Sequence, residues 1–317
     1  MKSIKKSFKE INIDPTVVKF ILITHSHQDH CFNLWNMENL CKNAKVICHR
    51  NSSFQIRNPT RMPRSWREAL KLLGKSKFIQ TIYGTLSTPV MMLFYKTIHI
   101  YPRIDYTIDF EIDEKDFYLS KCPIIPTKDN KLILIPTPGH DKGHMSILDA
   151  NKNLFLGDFV PFTPWIDPEL YALDAMINSI KIILKLHESE VENAVRSHGD
   201  YRRDPTYKGT LNDNGPWYGK SSTWEVAPWA EEKARFKYWL DKIYESLEKI
   251  PLFLKGRPLN TYEIAKLLIP HYKKYSWTMR LFFIPPIITW VLTYCLKLEN
   301  DNILRRIYKG KQLYWSV

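Results

Sequence analysis

The run His25-Ser26-His27-Gln28-Asp29-His30 places three imidazoles and a carboxylate within six residues. An H-x-H-x-D-H run arises by chance in a chain of this composition roughly five times in ten thousand, so coincidence is a poor account of it. Imidazole and carboxylate together suit borderline divalent metals. In a tight loop His25 and His27 can turn towards one ion while Asp29 and His30, displaced along the loop, face a second. Such ions activate a water and polarise a carbonyl or phosphoryl oxygen, which is hydrolytic chemistry without a Ser or Cys nucleophile.

Two imidazoles do not complete a metal's shell, so further ligands must come from other strand ends. Three candidates stand in such places. His140 follows the apolar run 132–136, Asp158 follows 154–156, and His198 follows 194–195. Singly, Asp158 reads as a turn residue, His140 as a hydrogen-bonded loop histidine and His198 as a surface histidine. Jointly they form the inventory a metal site needs.

The elements that position these residues follow from periodicity. Residues 20–24 (FILIT) form a β-branched apolar run after Asp14-Pro15 and read as a buried strand leading into the His-rich loop. A helix over 33–40 and a strand over 45–48 continue an αβαβ rhythm. A capping box at Ser65 to Glu68 opens a helical insertion over about 60–103, whose apolar stretch 89–95 reads as packing or as a lid. Residues 109–158 alternate short apolar runs with polar turns, a strand meander with strands at 117–119, 132–136, 145–148 and 154–156. Asp167-Pro168 opens a helix with Leu173, Met176, Ile177, Ile180 and Leu184 on one face, a core stripe. Beyond Pro228, helices are expected over 236–250, over 262–269 with a cap at Asn260 or Thr261, and from Pro285-Pro286 onward. A strand–Gly310–strand hairpin over 303–317 closes the chain. Three helices and a hairpin make a winged-helix-like module at 231–317, after a catalytic domain at 1–230.

Composition fits a folded protein: of 317 residues 44% are hydrophobic and 25% charged, so a disordered tail or a fibre is excluded. Five cysteines without a C-x-x-C pair argue against a disulfide framework and a zinc ribbon, and point to a reducing compartment. The charged amino terminus lacks a secretory signal, and cytoplasmic residence is expected. The apolar stretch 281–298 is split by two prolines and reads as a buried core helix rather than a membrane span. Residues 45–103 hold eleven Lys/Arg against one acid and 233–317 hold sixteen against six, whereas 104–232 hold thirteen against twenty-two. Such basic blocks can recruit nucleic acid or acidic small substrates, or simply form a solvated surface. The oligomeric state is not readable from any of these features.

The run 25–30 together with TPGHDKGH (137–144), LGDF (156–159) and SHGD (197–200) resembles, in order, the metal-binding segments of the metallo-β-lactamase superfamily. The resemblance spans most of residues 15–205. It implies an αββα sandwich, short at its amino-terminal end, with metals at one edge of its two sheets. By that resemblance His25, His27 and His140 hold one ion, Asp29, His30 and His198 the other, and Asp158 bridges them. The cofactors would be two divalent ions, for which the ligand set suits zinc, with iron or manganese as alternatives. Asp29 would also orient the attacking hydroxide, and His144 would orient the ligand loop. The carboxy-terminal part is similar to stand-alone members that carry a winged-helix extension, among them hydrolases of small esters and a single-strand endoribonuclease.

The sequence departs from the family pattern in three places. The loop arrives at residue 25, earlier than the family's leading strands usually allow, and Cys31-Phe32-Asn33 replaces the usual Gly pair, with Cys31 expected to be an inert buried thiol. No long nuclease-type insertion follows Asp158, which disfavours the cleavage-factor branch. The expected activity is hydrolysis of a small ester, thioester or lactone. The alternative is a single-strand-specific endoribonuclease or phosphodiesterase that uses the basic blocks.

Overall fold

A computed structural model describes residues 2–31, 33–57, 69–81, 110–112, 124–126, 131–159, 172–197, 225–268 and 277–317. The expected helical insertion lies mostly outside these residues, as do the capping box at 65–68, the strand at 117–119 and His198.

The amino-terminal helix α1 (Lys2–Glu10) precedes strand β1 (Phe20–Leu22). The chain then passes through the short helix α2 (Gln28–Cys31) and α3 (Leu34–Leu40) to β2 (Lys45–His49). β1 and β2 pair in parallel, Ile21 opposite Val46, as a β–helix–β passage requires. Helices α4 (Arg50–Arg57) and α5 (Lys77–Thr81) follow, and then β3 (Phe110–Ile112). β3 departs from expectation. It pairs in parallel with β2, so it completes a three-stranded first sheet instead of opening the meander. The long connection from β2 makes a parallel return possible, which sequence periodicity cannot signal.

The second sheet has six strands in sequence order: β4 (Ile124–Pro126), β5 (Lys131–Pro136), β6 (Met145–Leu148), β7 (Asn153–Gly157), β8 (Asn193–Arg196) and β9 (Glu225–Pro228). β4 to β7 form an antiparallel meander. The β7–β8 pair is parallel because α6 (Ala172–Leu184) crosses between them. The α6 stripe departs from expectation at its end: Leu173, Met176, Ile177 and Ile180 are buried as expected, but Ile183 rather than Leu184 completes the buried face, Leu184 being only partly buried.

Three apolar clusters divide the molecule into layers. Ile47 of β2 meets Leu134, Met145 and Ile147 between the sheets. Ile21, Val46 and Cys48 pack outward against Leu34 and Ile56 of the helices over the first sheet. Leu154, Leu156 and Ala194 pack outward against α6 and the carboxy-terminal helices. The order is helix, sheet, sheet, helix.

Residues 229–317 form α7 (Trp229–Phe253), α8 (Thr261–Leu268), α9 (Trp277–Asn300) and the antiparallel hairpin of β10 (Arg305–Lys309) and β11 (Gln312–Ser316). Asn260 caps α8 reciprocally: its carboxamide oxygen accepts the Glu263 N–H at 3.0 Å, and Glu263 accepts the Asn260 N–H at 2.9 Å. α9 corrects the expectation of a start at Pro285-Pro286, because it begins at Trp277 and runs through the proline pair. Burial of Ile288, Val291, Leu292, Cys295 and Leu296 outweighs the local break. Among the described residues no helix is long and apolar enough to cross a membrane.

Candidate metal centre

Three chain segments converge at one edge of the two sheets. β1 delivers His25, His27 and His30 on the loop that becomes α2; the β5–β6 turn delivers His140; the end of β7 delivers Asp158. A backbone bond from Met145 N to Thr24 O, 2.8 Å long, ties the first of these segments to the second.

The ends of the strands are shaped to aim these side chains. The β7–β8 register shifts between Phe155 and Gly157, and such an irregularity re-aims the residues beyond it. Gly157 has φ +55°, and a Cβ there would lie 2.8 Å from His144 Nε2 and 3.0 Å from Thr24 Oγ1. Gly139 has φ +141°, with a Cβ position 2.6 Å from Met176 Cβ on α6. Only glycine lets both turns pass this close and this way round.

His25, His27, His140 and Asp158 are buried, and one ligand atom from each lies within 4.8 Å of the others. His140 Nε2 and His27 Nδ1 are 2.8 Å apart. Asp158 Oδ2 lies 3.8 Å from His25 Nε2, 3.6 Å from His140 Nε2 and 3.1 Å from His30 Nε2. Asp158 therefore faces both the His25/His140 group and His30. Burial, followed by the neighbouring His30 and His27, holds the His25 imidazole well below the usual histidine range. His25 is thus neutral, with Nδ1 3.1 Å from Thr24 Oγ1 and Nε2 turned into the cluster without a hydrogen-bond partner.

This geometry passes the test for a divalent ion. A buried imidazole nitrogen lacks a hydrogen-bond partner, two others lie close enough to share one proton, and a carboxylate oxygen sits among them. A metal displaces such a proton and satisfies such a lone pair. Among the described residues this is the one His/Asp cluster able to hold a metal.

A supporting shell surrounds the cluster. Asp141, adjacent to His140, is fully buried and accepts from Ser26 N at 3.1 Å, from the Ser26 hydroxyl and from Gly143 N at 2.6 Å. Ser26 lies between His25 and His27, so Asp141 pins the His-rich loop to the His140 turn. Burial pushes the Asp141 carboxyl up, but His27 and the bonds from Ser26 and Gly143 together hold it below the usual carboxylate range. Gln55 of α4 meets the Ser26 hydroxyl from the other side. His144 Nδ1 lies 2.8 Å from Thr137 Oγ1, and its pKa is pushed down to about 3 by burial and then by the charge of His140. A neutral His144 is consistent with orienting the loop. The Cys31 thiol is buried and donates to Ser26 O at 3.3 Å.

The expected ligands His25, His27, His30, His140 and Asp158 are thus brought together. Asp29 lies in α2 between His27 and His30. His198 lies outside the described residues, next to Ser197, whose N–H donates to Gly157 O at 3.1 Å. Sequence reasoning missed Asp141, Ser26 and Gln55. The one local mark of Asp141 is its place immediately after His140 inside a Gly-bounded loop.

The sequence profile of the Metallo-beta-lactamase superfamily matches residues 3–198. Two solved structures share the fold. A metallo-beta-lactamase family protein from Thermus thermophilus superposes with TM-score 0.62 at 17% identity, over 99% of this chain and 85% of that one. A beta-lactamase domain protein from Burkholderia ambifaria gives TM-score 0.61 at 12% identity, over 98% and 77% respectively. No curated protein sequence matches the chain.

Proposed function

The chain belongs to the metallo-beta-lactamase superfamily, and on that basis we propose that it is a binuclear metal-dependent hydrolase of a small ester, thioester or lactone. The observation that carries the reading is the buried convergence of His25, His27, His140 and Asp158 from three separate segments. His25, His27 and His140 would hold one ion and Asp29, His30 and His198 the second, with Asp158 between them. The short distances from Asp158 Oδ2 to both His25 and His30 support that bridging position. Zinc suits this nitrogen-rich set best.

A divalent ion bound there supplies Lewis acidity and an activated water near neutral pH. The remaining work falls to the chain's own groups. Asp29 would accept a hydrogen bond from the attacking water and orient it. Thr24 holds the His25 ring in one orientation, and Asp141 with Ser26 fixes the spacing of His25, His27 and His140. The small-substrate reading rests on the plain ligand set and the absence of a nuclease-type insertion after Asp158.

A second reading, cleavage of single-stranded RNA, is favoured by one observation. The β10–β11 hairpin, which we read as the wing of a winged-helix-like module at 231–317, exposes Arg305, Lys309 and Lys311 beside an exposed Tyr308. Arg306 does not add to this surface, because Glu299 accepts from its Nε at 2.8 Å.

A hydrolysis screen with ester, thioester, lactone and single-stranded RNA substrates, run on wild type and on an R305A/K309A/K311A variant, separates the readings. Ester or lactone turnover should persist within about threefold in the variant, because exposed charges outside the candidate ligand set contribute little in salt. RNA cleavage that is salt-sensitive and collapses in the variant would overturn the first reading.

A further inference from the structure

The two strand ends that lead into Asp158 and His198 are both held from behind by one face of α7. Phe159, directly after Asp158, is fully buried and stacks on Phe236 with ring centroids 5.6 Å apart and planes 26° from parallel. Arg196, two residues before His198, is fully buried and lies opposite Gly157 in the β7–β8 register. Its Nε lies 3.5 Å from Glu232 Oε2, and the same oxygen accepts from Arg235 at 2.9 Å. Glu232 and Phe236 are four residues apart on α7 and therefore share a face.

Stability alone does not account for this arrangement. A fully buried Arg196–Glu232 contact carries a desolvation cost that apolar residues of equal volume would avoid. What an ion pair adds is a fixed position, and here that position is the strand end beside the ligands. The Phe contact acts on the other strand end. Phe159 also lies 6.0 Å, centroid to centroid, from His144, whose ring is 5.0 Å from that of His25. α7 thus touches both strand ends, one through Arg196 and the other through Phe159, and the second contact continues through His144 to His25.

We infer that Glu232 and Phe236 are positioning residues for the metal centre, so that α7 belongs to the frame of the site. The inference rests on the binuclear reading above. Partners hydrogen-bonded directly to a ligand govern metal affinity by about tenfold to a hundredfold; Glu232 and Phe236 act one residue further out, through Arg196 and Phe159, so the lower end of that range is expected.

The test is zinc affinity of the full chain, measured by competition with a chromophoric chelator, for wild type, Glu232→Ala, Glu232→Gln and Phe236→Leu. Ile243→Ala is the control; Ile243 is buried in the same cluster and on the same helix, about two turns beyond Phe236. The volume-conserving Glu232→Gln and the mild Phe236→Leu serve if Glu232→Ala does not fold. The expected result is zinc affinity at least tenfold weaker in the Glu232 and Phe236 variants, with the control within about threefold of wild type at a comparable loss of melting temperature. Variants that match wild type, or a control that weakens as much as they do, would overturn the inference while leaving the metal site intact. Wild-type protein that binds no zinc would instead overturn the metal reading, and this inference with it.

Discussion

Both oxygens of the Asp141 carboxylate accept backbone N–H groups, Ser26 on one and Gly143 on the other. An amide cannot replace that role, because its nitrogen would face a donor. Asp141→Asn should therefore destabilise the metal-free protein by about 1–3 kcal/mol and weaken metal binding by roughly tenfold or more, read by denaturant unfolding and chelator competition. The neutral imidazoles beside that loop also set a pH dependence. His25 and His144 are held below the usual histidine range, His144 at about 3, whereas the unfolded chain takes up protons near 6.5. The unfolded state binds more protons throughout that interval, so the metal-free protein should lose stability as pH falls below 6.5, by up to about 1.4 kcal/mol per unit for each group, levelling off for His144 near 3. Urea midpoints at pH 7 and 5 check it; a flat profile would contradict neutral, buried imidazoles. At this scale the converging residues His25, His27, His30, His140 and Asp158 were legible because they stand in dense or strand-terminal patterns. Asp141 was not, since a lone acid in a Gly-bounded turn looks like any turn residue.

Strand ends, not strands, do the positioning. Gly157 combines a left-handed backbone with a Cβ position that His144 and Thr24 already crowd. Gly157→Ala should cost about 1–3 kcal/mol of stability and displace Asp158, lowering metal content in step; a variant with wild-type melting temperature and full metal content would contradict this account of the turn. The β5, β6 and β7 strands and the α6 stripe were legible because their periodicities are unbroken over several residues. β3 escaped because its partner, β2, is remote in sequence, and nothing local marks a strand as belonging to one sheet or another. The start of α9 escaped for a related reason. The proline pair is a strong local break, but core burial from Ile288 onward sustains the helix through it.

Across the whole molecule the apolar core is continuous from the second sheet through α6 into α7, α8, α9 and the hairpin, with Leu156, Phe236, Ile264, Val291 and Trp315 in one cluster. The sequence marks a change of pattern beyond Pro228, but which face of α7 meets which strand is a long-range matter that no local pattern encodes. That packing sets α7 against the strand ends behind the site. The central claim, a binuclear centre bridged by Asp158, is tested most directly by elemental analysis after reconstitution with zinc and removal of excess metal. The account predicts about two ions per chain in wild type and a loss of more than one in Asp158→Ala, because a bridging carboxylate serves both positions. Wild-type protein that retains no metal, or an Asp158→Ala variant that retains the full complement, would contradict it.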